Sequence, residues 1–174
     1  MNEVIRNIKN RRSVRSFSDR VIEKELLCEI ADCARYAPSG MNGQPWNFCV
    51  VQNPEIIAQL AACVEKGLDR KGYDFYGPNA LIIVSCDRDS RFELQDGSGA
   101  LQNIFLAAAS LGIGSVWINQ LRNVCDDEDC RRLLTKLGVP ENFRVVGTAA
   151  LGYPAAEDAF RVAEKKNGVT EFWL

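Results

Sequence analysis

Arg11-Arg12-Ser13-Val14-Arg15-Ser16-Phe17 places three guanidinium groups and two hydroxyls within one short stretch. Guanidinium groups hold phosphate oxygens by paired, charge-assisted hydrogen bonds, and a serine hydroxyl adds a neutral donor. At ~4 Å and an effective dielectric near 20, each such charge pair is worth roughly 4 kcal/mol before desolvation. The stretch therefore suits a bound anion, although arginine clusters also occur on solvated turns. A second candidate is Pro38-Ser39-Gly40-Met41-Asn42-Gly43-Gln44-Pro45-Trp46. Its glycines permit close backbone approach, and Asn42 and Gln44 each carry both donors and an acceptor. That mixture fits a planar heterocycle of alternating carbonyls and ring nitrogens, and equally a rigid helix-to-strand connection. The run Gly112-Ile113-Gly114-Ser115-Val116-Trp117 lacks the third glycine of a dinucleotide fingerprint and follows a helix, not a strand. Gly97-Ser98-Gly99 fails in the same way.

The chain has no histidine. That excludes Ser-His-Asp and Cys-His nucleophile systems, the HExxH zinc site and the ordinary general base at neutral pH. Chemistry must come from carboxylates, lysines, thiols or a borrowed cofactor, and the last fits best; no catalytic side chain is assigned. The seven cysteines (Cys28, Cys33, Cys49, Cys63, Cys86, Cys125, Cys130) include no CxxC pair. They read as reduced, partly buried thiols, with neither a disulfide framework nor a metal site. A net charge of −2 gives no reason to expect a nucleic-acid or membrane partner. Against that balance, Arg6, Lys9, Arg11, Arg12, Arg15 and Arg20 form a local basic run that points to a specific anion site. The N-terminus lacks the layout of a signal peptide and no apolar run reaches membrane length, so the expected compartment is the cytoplasm.

These residues need a scaffold of one domain spanning 1–174. Spacing predicts helices over 2–10, 23–37, from Pro54 through Val64, from Asp96 or Ser98 (as cap) to Leu111, and over 128–137. Strands are expected at 46–51, 80–86, 115–119 and 143–151, with an aromatic excursion between Gly67 and Gly77. The continuous apolar run Ala80–Cys86 reads as a central strand covered on both faces. The helix to Leu111 is apolar nearly all round and is expected to be buried. Helices alternating with strands give an α+β or α/β layering around one sheet. Phe172, Trp173 and Leu174 form an apolar terminus that needs a docking place, naturally a partner subunit.

Arg11 to Phe17, Ala37 to Trp46, the helix from Leu101-Gln102-Asn103 into Leu111-Gly112-Ile113-Gly114-Ser115-Val116-Trp117-Ile118, and Gly152-Tyr153-Pro154 together resemble the nitroreductase family. They stand in that family's order over 11–154. The resemblance implies an α+β fold with a central, mainly antiparallel sheet flanked by helices, in an intertwined homodimer with FMN at each subunit interface. By position, Arg11 and Ser13 would hold the FMN phosphate with Arg12 beside them. Arg15 would reach the N1–C2 carbonyl edge, where a cation favours the reduced flavin. Pro38, Ser39, Gly40, Asn42 and Gln44 would come from the other subunit. Trp117, Ile118 and Asn119 would lie along the isoalloxazine, with a backbone N–H facing N5. Lys165 and Lys166 fall near a terminal basic phosphate ligand, in a loose alignment without the usual prolines. The family's Asn and Lys contacts before the central strand have no clear counterpart among Asp69, Arg70 and Lys71. Tyr73, Phe75 and Tyr76 could line the site or simply pack under the excursion. The implied activity is a ping-pong transfer of hydride from NADH or NADPH to a small acceptor such as a nitroaromatic or quinone. Other flavin chemistry (reductive dehalogenation, flavin breakdown), a non-catalytic flavin carrier and a basic-arm nucleic-acid binder are the alternatives.

Overall fold

The computed structural model describes residues 1–156, 159–165, 168 and 170. Four strands, β1 (Trp46–Val51), β2 (Ala80–Asp87), β3 (Gly114–Ile118) and β4 (Phe143–Gly152), form one sheet in the order β1-β2-β4-β3. Every neighbouring pair is antiparallel. The α+β expectation holds. β2 and β4 are central because they are apolar on both faces. From Ala80 to Cys86 every residue of β2 is buried, and alternate residues feed different cores. Leu81 and Ile83 pack with Leu60, Val64, Leu121 and Leu134 on one side. Ile82 and Val84 pack with Leu27, Ile30, Leu101 and Ile104 on the other.

Helices cover both faces: α1 (Glu3–Asn10), α2 (Lys24–Ala34), α3 (Pro54–Leu68), α4 (Glu93–Ser110), α5 (Gln120–Val124) and α6 (Glu128–Lys136). α3 starts as its sequence dictates: Asn53 Oδ1 accepts from the Glu55 and Ile56 N–H groups, and Pro54 sits where no donor is needed. α2 stops at Ala34, short of the expected Ala37. The residue before Pro38 is disfavoured in helical geometry, and Ala37 N–H closes a tight turn onto Ala34 O (3.2 Å). α4 begins earlier than expected, at Glu93, with Phe92 at its cap and no side-chain capping bond. Asp96 therefore lies inside the helix, and its carboxylate is used elsewhere. α4 is buried at Gly97, Ala100, Leu101, Ile104, Phe105 and Ala108, as its composition requires, and packs against α2, α1 and the sheet. α1 is different: none of its residues is buried, and Val4, Ile5 and Ile8 stand exposed.

Candidate functional site

β3 is an edge strand, and the arm 11–18 lies along its open side. Val14 N–H donates to Ser115 O (3.0 Å), and Ser13 forms a parallel bridge with Ser115. A Cβ on Gly114 would lie 2.9 Å from Val14, so glycine is what lets the arm come this close. The far end is stitched by Gly152-Tyr153-Pro154. Ser18 N–H donates to Tyr153 O (2.8 Å), Ala155 N–H to Ser16 O (3.1 Å), and Phe17 bridges Pro154. With Val14 buried, alternation exposes Ser13 and Arg15.

The charges on this arm have no counter-charge among the described residues. No ion pair among the described residues involves Arg11, Arg12 or Arg15. Arg11 is half-buried over the Phe105 ring (6.0 Å to its centroid), and burial, then the adjacent Arg12 charge, hold its pKa below the usual guanidinium value. Arg12 donates through Nη1 to Arg11 O (3.3 Å), while its Nη2 is buried with no partner among the described residues. Two guanidinium groups in this condition gain from an anion that restores what burial removed. Trp117 adjoins the same surface, 39% exposed and 5.9 Å from the Phe105 ring. Ile118 is buried, and the Asn119 N–H is held by Gln120 Oε1 (3.1 Å).

Arg15 reaches a residue the sequence did not single out from its neighbours. Its guanidinium lies 5.8 Å from the Tyr76 ring centroid. The aromatic excursion divides: Phe75 is fully buried, Tyr73 packs edge-on to it (5.0 Å), and Tyr76 is turned out, 43% exposed. The division is enforced by Phe75 and Tyr76 both adopting left-handed φ (58° and 72°), with Asp74 Oδ1 accepting from the Tyr76 N–H (2.9 Å). Packing explains Tyr73 and Phe75 but not Tyr76.

In the loop after α2, Gly40–Asn42 forms a 3-10 turn, and Met41, Asn42 and Gln44 have left-handed φ of 54°, 57° and 47°. Gln44 N–H donates to Ser39 Oγ (3.1 Å) and Gln44 Nε2 to Asn42 Oδ1 (3.0 Å). Asn42, Gly43 and Gln44 are exposed, Pro38 also, and Met41 is 94% exposed. The loop is fixed at Gly40, whose N–H donates to Asp96 Oδ1 (2.9 Å). Loop and arm thus stand near different ends of α4: Asp96 and Phe105, nine residues apart, are separated by about 13 Å along its axis. The structure brings Arg11, Arg12, Ser13 and Trp117 together and leaves Pro38, Ser39, Gly40, Asn42 and Gln44 at a distance in the same chain. Lys165 is exposed. Lys166, Phe172, Trp173 and Leu174 lie outside the described residues.

A 270 Å³ hollow between α3 and α6 is lined by Cys63, Lys66, Asp129 and Cys130, remote in sequence from this cluster. Burial raises the pKa of both thiols, which makes them poor nucleophiles. Among the described residues no three potential metal ligands converge, and no helix is long and apolar enough to cross a membrane.

Fold and site together define a small α+β protein with a cationic arm on a sheet edge and a separate polar loop. The description "Nitroreductase family" matches residues 8–80 and 69–153. A protein of Archaeoglobus fulgidus, provisionally described as an NADH dehydrogenase/NAD(P)H nitroreductase, is 36% identical over 95% of this chain and 94% of its own length. The solved structure of a Bacteroides fragilis nitroreductase with bound FMN superimposes with a TM-score of 0.89 at 36% identity, covering 100% of this chain and 99% of that one. A Desulfitobacterium hafniense nitroreductase with bound FMN gives 0.85 at 30% identity, with 98% and 100% covered. The chain belongs to the nitroreductase family.

Proposed function

We propose that this chain is an FMN-dependent oxidoreductase that takes hydride from NADH or NADPH and delivers it to a small acceptor, a nitroaromatic, quinone or similar molecule, in alternating half-reactions. The observation that carries the reading is the Arg11-Arg12-Ser13 cluster, without a counter-charge among the described residues, and its buried Nη2 with no partner among them. Two guanidinium groups and a hydroxyl on a fixed backbone match the donor set a phosphate dianion requires. The FMN-bound relatives give that phosphate its molecular context.

Arg11, Arg12 and Ser13 would hold the phosphate, with Lys165 and Lys166 as further cations near it. Arg15, exposed beside Tyr76, would face the N1–C2 edge and oppose the negative charge that gathers there on reduction. Trp117, Ile118 and Asn119 would border the ring, the Asn119 N–H becoming available once Gln120 releases it. Bound FMN would supply the hydride chemistry, for which protein side chains offer no equivalent. The protein's work is to hold, orient and tune, and no side chain needs to form a covalent bond.

Pro38, Ser39, Gly40, Asn42 and Gln44 would complete the site from the partner of a homodimer. Their separation from the arm along α4 supports this, as does the exposed Val4-Ile5-Ile8 face of α1. The test is the visible spectrum of the purified protein, followed by NADH or NADPH addition under argon. A flavin spectrum that bleaches and recovers with a nitroaromatic or quinone is expected. Colourless protein that takes up no added FMN overturns the reading.

A further inference from the structure

Asp96 is 4% exposed, and its Oδ1 accepts the Gly40 N–H while its Oδ2 is buried with no partner among the described residues. A buried carboxylate with so little hydrogen bonding is a poor device for stability, and an apolar side chain among Gly97, Ala100 and Leu101 would serve the core better. What it does instead is fix the loop 39–44. Three non-glycine residues there, Met41, Asn42 and Gln44, hold left-handed φ, a condition that lasts only where surrounding structure over-determines it. Gly40 is the anchor point. Its N–H ends on Asp96, and the Phe92 ring covers its Cα so closely that a Cβ would lie 2.1 Å from Phe92 Cδ2. The first turn of α4 is itself held to the sheet, because Arg122 bridges Glu93 (2.9 Å) and Val145 O (2.8 Å).

We infer that Asp96 is a positioning residue that sets the loop carrying Ser39, Asn42 and Gln44 at the height and angle needed to meet a flavin. The inference rests on the FMN reading above and adds to it a residue that touches no ligand. β4, Arg122, Glu93, α4, Asp96 and Gly40 form a continuous rigid support, and the exposed loop inherits its placement from the last bond in that series.

The test compares wild type, D96A and D96N by thermal unfolding, FMN dissociation constant and the visible circular dichroism of bound FMN. D96A should weaken FMN binding about tenfold, the loss of the one hydrogen bond that fixes the loop, and alter the flavin dichroism at temperatures where the variant is folded. D96N keeps an oxygen acceptor for Gly40 and should restore both readouts. If D96A fails to fold, D96E, which retains the charge and displaces the acceptor by one methylene, takes its place with the same expected losses. A lowered melting temperature with unchanged FMN affinity and dichroism overturns the inference, as does D96N behaving like D96A. Wild type without FMN overturns the function and this inference together, whereas FMN-replete wild type with indifferent variants overturns this inference alone.

Discussion

Tyr153 shows how a motif residue can belong to the scaffold while the site depends on it. Its hydroxyl donates to Glu23 Oε2 (2.7 Å), and the Arg20 guanidinium lies 3.8 Å from its ring centroid while also pairing with Glu23. The Tyr153 hydrogen bond is the largest influence holding Glu23 down to a pKa of about 2; a backbone hydrogen bond and the Arg20 hydrogen bond act the same way. Because the folded value lies below the unfolded value of about 4.3, this stabilisation is fully present above that pH. It is lost as pH falls through about 2. Tyr153→Phe should therefore flatten the dependence of folding stability on pH between those values, measured by urea titration, and leave stability at neutral pH nearly unaltered in its slope. Arg15 is the residue-scale test of function. Arg15→Ala should make bound FMN harder to reduce by about 30–60 mV, the equivalent of one hydrogen bond to a charged group in a two-electron couple. Spectroelectrochemistry reads this directly, and an unchanged potential with FMN retained would remove Arg15 from its proposed place. The arginines were legible in the sequence because charge density is a local property. Which of Tyr73, Phe75 and Tyr76 faces outward was not, since it depends on two consecutive left-handed residues, nor was the part played by Asp96, which depends on a partner 56 positions away.

The site depends on α4 more than on any other element, because this helix carries Phe105 under Arg11 near one end and the Asp96 anchor near the other. Its apolar composition announced burial, and burial is what the structure has. Its start is hidden in the sequence, where Asp96 looks like a cap: the helix begins at Glu93 and is fixed there by Arg122 rather than by a capping bond. α5 leaves no signal in the sequence for a related reason. A five-residue helix has no stability of its own and exists because Leu121 and Val124 are buried against the sheet. Strand order was equally hidden, since the β2–β4 pairing joins segments separated by most of the second half of the chain. If α4 is the rigid spacer described, damage at its buried middle should be general. Leu101 is fully buried against the β2–β4 face. Leu101→Ala should destabilise by about 2–5 kcal/mol, seen in chemical denaturation, with FMN affinity falling in step with the folded fraction and not beyond it. A specific loss of FMN by folded protein would mean that Leu101 acts on the site itself.

At the scale of the whole molecule, the proposed site, with its arm and loop near two ends of a buried helix, makes a demand on assembly. About 13 Å separates Asp96 from Phe105 along α4, so one chain presents its arm and its loop at different positions along this helix. The proposed homodimer resolves this by facing each arm with the partner's loop, and the uncovered apolar side of α1 supplies surface for such a contact. The family resemblance already implied this arrangement, with Pro38 to Gln44 supplied by the other subunit, but the residues alone did not: the separation of arm and loop is set by the packing of α4 and could not be read from spacing. Complementation tests the arrangement. A chain with Arg11→Ala and Arg12→Ala lacks the arm, and a chain with Asn42→Ala and Gln44→Ala lacks the loop. Each alone should bind FMN poorly and have little NAD(P)H oxidation activity. In a mixed dimer one site receives both defects and the other receives none. Co-expression in equal amounts should therefore restore about a quarter of the wild-type sites, as random pairing in a two-fold dimer requires, and tandem affinity purification of the mixed species should raise that to about half. Absence of any recovery, in mixed dimers shown to have formed, would mean that arm and loop serve the same chain and that the divided-site arrangement is wrong.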